Sequence, residues 1–87
     1  ARMIVERTNY YAKPGGAAEV LAIRQEASAV RVAIGLSHGV IRAKADAAAD
    51  GPDVTWECAF ADLEERQRDL DARAASPAFE AVRARMK

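Results

Sequence analysis

Eighty-seven residues, of which 51% are hydrophobic and 30% charged, are enough for one folded domain and too apolar for a disordered chain. Thirteen Lys and Arg residues against thirteen Asp and Glu residues give a formal net charge of zero, which argues against a nucleic-acid-binding module and a polybasic membrane surface. The single cysteine, Cys58, allows no internal disulfide, and no apolar stretch is long enough to span a membrane, so we expect a cytoplasmic protein.

The first third of the chain predicts a strand followed by a helix. Met3 to Tyr11 is rich in β-branched and aromatic residues, which is typical of a strand, and the Lys13-Pro14-Gly15-Gly16 loop ends it. From Ala17 to about Ile34, apolar residues recur at steps of three and four, which predicts an amphipathic helix with Gly35 as its stop. The apolar stripe comprises Val20, Ile23, Ala27, Val30 and Ile34. The charged residues mostly fall outside it: Glu19, Arg24, Glu26 and Arg31.

Two strands that form a hairpin are predicted next. Ser37 to about Ala45 predicts the second strand, although its alanines suit a helix better. The stretch from Ala47 to Asp53 carries a strong turn signal in its last four residues, Asp-Gly-Pro-Asp. The segment 54–60 then alternates strictly, which predicts a half-buried strand. Its apolar side comprises Val54, Trp56, Cys58 and Phe60.

Two helices are predicted to complete the chain. Asp62 is a good N-cap, and Glu65 completes a capping box for a helix from Leu63 to Ala74. Its predicted inward line comprises Leu63, Gln67, Leu70 and Ala74. The many charges of this helix are mixed in sign and predict a solvated face with pairs inside the helix. Ser76-Pro77 begins a short helix, whose apolar residues are Phe79, Val82 and Met86.

This order predicts one α+β domain over residues 1–87, with an antiparallel sheet and the helices on one face. The pattern β-α-β-β-α is the ferredoxin-like split βαβ fold without its last strand, so the fourth strand is missing or trimmed. Such a short, alanine-rich chain builds a thin core, and oligomerisation is a standard remedy. We therefore expect a homodimer.

Three segments resemble the dimeric α/β barrel superfamily, and in particular its NIPSNAP-like branch. They are the Met3–Arg7 strand running into Lys13-Pro14-Gly15, the segment from Trp56 to Arg66, and Ala75–Phe79, where Ser76 stands in place of the family's usual Asp. The resemblance implies two four-stranded sheets that face one another across a two-fold axis, with the helices outside. The superfamily includes cofactor-free monooxygenases, lactone isomerases and haem-handling enzymes, so the fold does not decide the function.

His38 and Asn9 are the candidate catalytic residues. His38 is the only histidine and the natural general base near neutral pH, but a lone histidine is also common as a surface residue at a strand end. No cluster of His, Cys and carboxylate residues accompanies it, so no metal site is predicted. Asn9 is a candidate through the resemblance alone, since some cofactor-free oxygenases and haem degraders of the superfamily use an asparagine on the first strand.

Four residues are candidates for ligand binding. Trp56 is expected either to stack on a planar ligand in the sheet cleft or to anchor the core or the dimer interface. Tyr10 and Tyr11 point to opposite faces of the first strand, so one of them would line the cleft. Arg42 would hold an acidic substrate or form a cross-strand ion pair. Cys58 is expected to be a small buried hydrophobe.

Two functional hypotheses follow. The first is a homodimer that binds a small apolar or aromatic ligand in the sheet cleft. The alternative is a cofactor-independent monooxygenase or isomerase that acts on an aromatic or quinone-like substrate through His38, with Asn9 and Trp56 shaping the pocket. Neither hypothesis calls for a cofactor, a nucleic acid or a membrane, and whether the protein is an enzyme stays open at this point.

Overall fold

A computed structural model describes residues 3–46 and 48–86, and the elements follow the predicted order. The strands are β1 (Ile4–Tyr10), β2 (Val40–Ala43) and β3 (Val54–Phe60). The helices are α1 (Ala17–Ala33), α2 (Leu63–Ala74) and α3 (Pro77–Arg85). β2 is shorter than predicted because the residues before it form a loop, in which Gly39 has a φ of +76°. Ala47, where the predicted turn begins, lies outside the described residues.

The three strands form an antiparallel sheet in the order β1-β3-β2. β3 is central, and its register places Thr8 and Ile41 on either side of Trp56. The hairpin between β2 and β3 was predicted, and the arrangement is consistent with a ferredoxin-like α+β fold. Alternation divides the sheet into a helix face, on which Trp56 lies, and an open face, on which Glu57 lies.

The predicted helix ends are confirmed by their hydrogen bonds. The Asp62 side chain accepts a bond of 2.8 Å from the amide of Glu65, and the Ser76 hydroxyl accepts one of 3.1 Å from the amide of Phe79. At the end of α1, Gly35 has a φ of +87°, and the amide of the next residue donates to the Arg31 carbonyl at 2.8 Å. This is the Schellman arrangement, which favours glycine because the backbone is left-handed there.

Helix α1 buries a wider arc than its apolar stripe predicted. Ile23 and Ala27 are buried as predicted, and they pack against Phe79 and Val82 of α3. Buried beside them, at steps of four and three residues, are Arg24, Ser28 and Arg31. The helix lies between α3 and the sheet, so it has two buried faces, and the one toward the sheet is polar.

The predicted inward line of α2 is wrong at three of its four residues, since only Leu70 is half-buried. Leu63 is 72% exposed, Gln67 and Ala74 are exposed, and the buried residue of this helix is Asp69. The expectation of a solvated charged face is wrong at the same position. Asp69 turns inward because it is the ion-pair partner of the buried Arg31 on α1.

Within the described residues, the buried apolar side chains other than Val54 form two clusters. One joins α1 and α3 through Ile23, Ala27, Phe79 and Val82. The other comprises Trp56, Cys58 and Phe60 on the helix face of β3, with partly buried Ile4, Tyr10 and Ile41 beside them. The polar arc of α1 faces this second cluster, since Arg24 and Arg31 lie against the Trp56 ring.

Asp53 holds the ends of all three strands together. Its carboxylate accepts a bond of 2.8 Å from the amide of Ala12 and lies 3.2 Å from the Lys44 ammonium, while its amide donates to the Tyr10 carbonyl at 2.9 Å. The bond from Ala12 and the nearby Lys44 lower the pKa of Asp53 below its ordinary value. These contacts fix the register of β1 where it enters the loop to α1.

We predict that Gly39→Ala is more destabilising than Gly35→Ala, although both glycines have positive φ. A Cβ on Gly39 would lie 2.7 Å from Cε2 of Trp56 and 2.9 Å from the Glu57 carbonyl oxygen, whereas a Cβ on Gly35 meets nothing within 4 Å. The left-handed backbone costs an alanine about 1–2 kcal/mol at either site. The clash should add about 1–3 kcal/mol at Gly39, as measured by urea denaturation. Equal losses for the two variants would contradict this packing.

Candidate functional site: a cleft between the helices and the sheet

Trp56 is a core residue and the floor of the candidate site. Its side chain is only 1% exposed, and its indole N–H donates to the His38 carbonyl at 3.2 Å. Two guanidinium groups from α1 lie against its ring, with Cζ of Arg24 4.7 Å and Cζ of Arg31 4.8 Å from the ring centroid. Both distances are typical of cation–π contacts, which are strengthened by burial.

Arg31 has partners all round its guanidinium. It forms a two-point ion pair with Asp69, with distances of 2.6 and 2.9 Å between nitrogen and oxygen atoms. Its Nε donates to the Ser37 carbonyl at 2.6 Å, and Nη2 lies 3.7 Å from Sγ of Cys58. Cys58 is buried as predicted, but it takes part in this polar contact as well as in the apolar cluster.

A second set of ion pairs extends from Asp69 to β1. Arg73 Nε lies 2.8 Å from Oδ1 of Asp69 and forms an ion pair with it. The orientation of the N–H group is unsuitable for a hydrogen bond. Arg73 also pairs with Glu6 at 3.2 Å, and Arg66 approaches the same carboxylate at 3.4 Å. The charge of Arg73 is therefore compensated twice over, and α2 is joined to β1 as well as to α1.

Arg24 differs from Arg31, which lies two turns further along the same helix. It is 3% exposed, and its two hydrogen bonds go to neutral oxygens, Tyr10 Oη at 3.2 Å and Ser28 Oγ at 3.3 Å. Its Nε is buried with no hydrogen-bond partner among the described residues. Burial lowers the pKa of Arg24 from its ordinary value, and the hydrogen bond to Tyr10 opposes this effect.

Two cavities adjoin at Tyr10 and Met86, and together we call them the helix cleft. The outer chamber, of about 520 Å³, lies between the start of α1 and the end of α3, and Val20 and Ile23 line it. The inner chamber, of about 270 Å³, reaches the core. Its further lining residues are Thr8, Arg24, Trp56, Arg73, Phe79 and Arg83.

Some of the candidate site residues predicted from the sequence line the helix cleft, and others do not. Tyr10 lines both chambers, Asn9 and Tyr11 line the outer one, and Trp56 lines the inner one. Asn9 and Tyr11 are otherwise exposed. These residues were predicted to line a cleft on the sheet, whereas the helix cleft that they line lies between the sheet and the helices α1 and α3.

His38 and Arg42 line neither chamber. The His38 imidazole is exposed and lies 3.0 Å from the Gly39 carbonyl oxygen, so the geometry gives the histidine-based enzyme hypothesis no support. Arg42 is on the open face, where its side chain lies 3.4 Å from the Glu57 carboxylate. Arg7 reaches the same carboxylate at 2.8 Å. Arg42 therefore makes the cross-strand pair that was one of its two predicted alternatives.

Sequence reasoning missed the three arginines that line the inner chamber, Arg24, Arg73 and Arg83. The apolar stripe of α1 predicts one buried face and leaves the polar residues beside it on the solvent side. Helix α2 has no apolar stripe, so its sequence does not show that Arg73 faces the core. The one available signal was the spacing of Arg24, Ser28 and Arg31, which is itself a helical stripe of polar residues.

The part of the chain that the structure describes holds no group of three or more His, Cys, Asp or Glu side chains placed to bind a metal ion. None of the helices in residues 3–46 and 48–86 combines the length and the apolar character needed to cross a membrane. Comparisons with protein-family models, curated proteins and solved structures gave no match to the chain.

We predict that Asp69→Ala lowers the free energy of unfolding by about 3–5 kcal/mol, because it leaves the buried Arg31 without its carboxylate. Asp71→Ala is the matched control: Asp71 is exposed on the same helix and accepts only a bond from Gln67. It should cost less than about 1 kcal/mol. Urea denaturation measures both.

The double variant Arg31→Met with Asp69→Leu shows whether the stability lost in Asp69→Ala comes from an unpaired buried charge or from lost packing. Removing both charges leaves neither partner as an unpaired buried charge, and Arg73 keeps its pair with Glu6, so the double variant should recover most of the stability lost in Asp69→Ala. A double variant as unstable as the single one would contradict the role given to this pair.

Proposed function

We propose that this chain is a small-molecule-binding protein of the dimeric α/β barrel type, similar to the NIPSNAP-like branch, and that it takes a small aromatic ligand into the helix cleft. The observation that carries the proposal is the cleft itself, whose chambers of about 520 and 270 Å³ adjoin at Tyr10 and Met86. Small-molecule sites are concave and mostly apolar, with a few fixed polar groups, and their volumes are typically of this order.

The walls of the cleft suit a flat apolar body. Tyr10 and Met86 line both chambers, Ile23 lines the outer chamber, and Phe79 lines the inner one. Trp56 contributes to the inner wall, while Arg24 and Arg31 lie against its ring. A ligand would therefore be held between the tyrosine and the methionine rather than stacked on the tryptophan.

Binding rather than catalysis is the activity proposed for this cleft. His38, the side chain best suited to general base catalysis near neutral pH, lines neither chamber. The groups that do line the inner chamber are arginines, a tyrosine and a threonine, which are suited to holding a ligand in place.

We expect benzamide, a planar neutral aromatic probe, to bind in the cleft with an affinity that depends on Met86. Burying a methionine side chain against a ligand is worth about 1.5 kcal/mol, so Met86→Ala should weaken binding about tenfold. In a two-dimensional NMR titration, the signals of Tyr10 and the Trp56 indole should shift, and that of Val40 on the open face should not.

Met3→Ala is the matched control for this titration. Met3 is 72% exposed and lines neither chamber, so its loss should leave the benzamide affinity unchanged. If benzamide shifts no signal around the cleft, or if both methionine variants bind it equally well, the cleft is not the ligand site.

The second part of the proposal is a homodimer formed through the open face of the sheet. Val5 and Val40 are 54% and 50% exposed there, on the two edge strands. Between them, Glu57 lies close to both Arg7 and Arg42. A two-fold axis brings the same surface onto itself, so the carboxylate of one copy can face an arginine of the other.

We expect the wild-type chain to sediment at twice its 9.4 kDa mass at micromolar concentrations. Val5→Asp places a charge in the apolar part of the proposed interface and should raise the dimer dissociation constant about a hundredfold or more. Leu63→Asp is the control, because Leu63 is exposed on α2, away from the open face. A wild-type chain that sediments as a monomer would overturn the dimer and leave the ligand site untouched.

A further inference from the structure

The two arginines that lie against Trp56 are unequally compensated. Arg31 has a two-point carboxylate partner, a carbonyl acceptor and a sulfur contact. Arg24 is almost as deeply buried, yet it donates only two bonds, of 3.2 and 3.3 Å, to neutral hydroxyls. Its buried Nε has no acceptor among the described residues. A buried guanidinium in this condition is costly unless a further acceptor is supplied.

The described residues around Arg24 offer no internal anion. No carboxylate in residues 3–46 and 48–86 forms an ion pair with it, and no acidic residue lines the inner chamber. The other two cations of the chamber are already paired. Arg73 pairs with Glu6 and Asp69, and Arg83 pairs with Glu80 at 2.9 Å. Within residues 3–46 and 48–86, the chamber therefore has one buried positive charge without a carboxylate partner, which an external anion can supply.

The apolar walls restrict what that anion is. Phe79 and Met86 line the same chamber of about 270 Å³, so the charged group sits beside a surface that favours hydrocarbon. The planar fork of a guanidinium matches the two oxygens of a carboxylate. A small planar carboxylate satisfies both features, with its charge at Arg24 and its apolar body directed along Tyr10 and Met86.

We infer that the inner chamber is a carboxylate-binding site, in which Arg24 receives the anionic group of a small aromatic acid. This inference rests on the proposed function of the cleft and names the chemical class of its ligand. Arg24 is a binding residue in this assignment, and Tyr10 and Ser28 hold its guanidinium in place.

Benzoate and benzamide test this assignment, because they share their shape and differ in charge at neutral pH. Titration calorimetry of the wild-type chain should show benzoate binding about tenfold to a hundredfold more tightly, since a hydrogen bond to a charged group is worth more than a neutral one. In the same protein, benzoate should shift the NMR signal of the Arg24 Nε–H group, and benzamide should shift it much less. Neither readout requires a variant.

Arg24→Gln should remove the preference for benzoate and keep the weaker binding of benzamide. Arg68→Gln is the matched control. Arg68 is exposed on α2, so this substitution removes the same charge from a position outside the cleft. It should keep the full preference. If Arg24→Gln does not fold, the wild-type affinity ratio and the Arg24 Nε–H signal decide the question.

The outcomes separate the two levels of the proposal. Equal affinities for the two probes, or a benzoate preference that survives in Arg24→Gln, would overturn the carboxylate site and leave the aromatic-binding cleft standing. A chain that binds neither probe would overturn both. A benzoate preference lost in Arg24→Gln and kept in Arg68→Gln is the result expected.

Discussion

The pair formed by Arg31 and Asp69 is the contact on which the arrangement of the helices depends. It joins residues 38 positions apart and is buried at both ends. Through Arg31, α1 also holds the loop before β2 by the Ser37 carbonyl and touches β3 at Cys58. A buried ion pair gains little over an apolar pair of the same volume, but breaking one side of it is costly. Its effect is therefore to specify one packing of α1, α2 and the sheet.

That packing also explains how Arg24 comes to be buried. Arg24 lies seven residues before Arg31, so a helix held at Arg31 presents Arg24 to the same face of the sheet, two turns away. Arg31 is compensated by a carboxylate, whereas the hydrogen bonds of Arg24 within the described residues go to neutral hydroxyls, beside its contact with the Trp56 ring. Buried charges without a charged partner destabilise the fold, and in natural proteins they are found more often at functional sites than elsewhere. The inner chamber is therefore a better candidate for a functional site than the exposed His38.

The sequence predicts the structural features that depend on neighbouring residues. It does not predict those that depend on residues far apart in the chain. The strict alternation of β3, the caps at Asp62 and Ser76, and the stop at Gly35 are local signals, and the structure follows them. The inward face of α2 was predicted wrongly because its apolar residues are too few to decide it, and the inward residue is chosen by a partner on α1. Arg24 was missed for a related reason. A polar stripe beside an apolar one predicts a solvent-exposed face, and here the sheet covers that face.

Strand β1 is the wall that the cleft and the open face share. Alternation sends Tyr10 to the helix cleft and Arg7 to the open face, so a slip of one residue would exchange the two sets and disable both surfaces together. Asp53 prevents that slip at the strand's end, where its amide reaches the Tyr10 carbonyl and its carboxylate holds the amide of Ala12. Because the two surfaces lie on opposite sides of one clamped strand, the proposed dimer contact and the proposed ligand site depend on largely different side chains of β1.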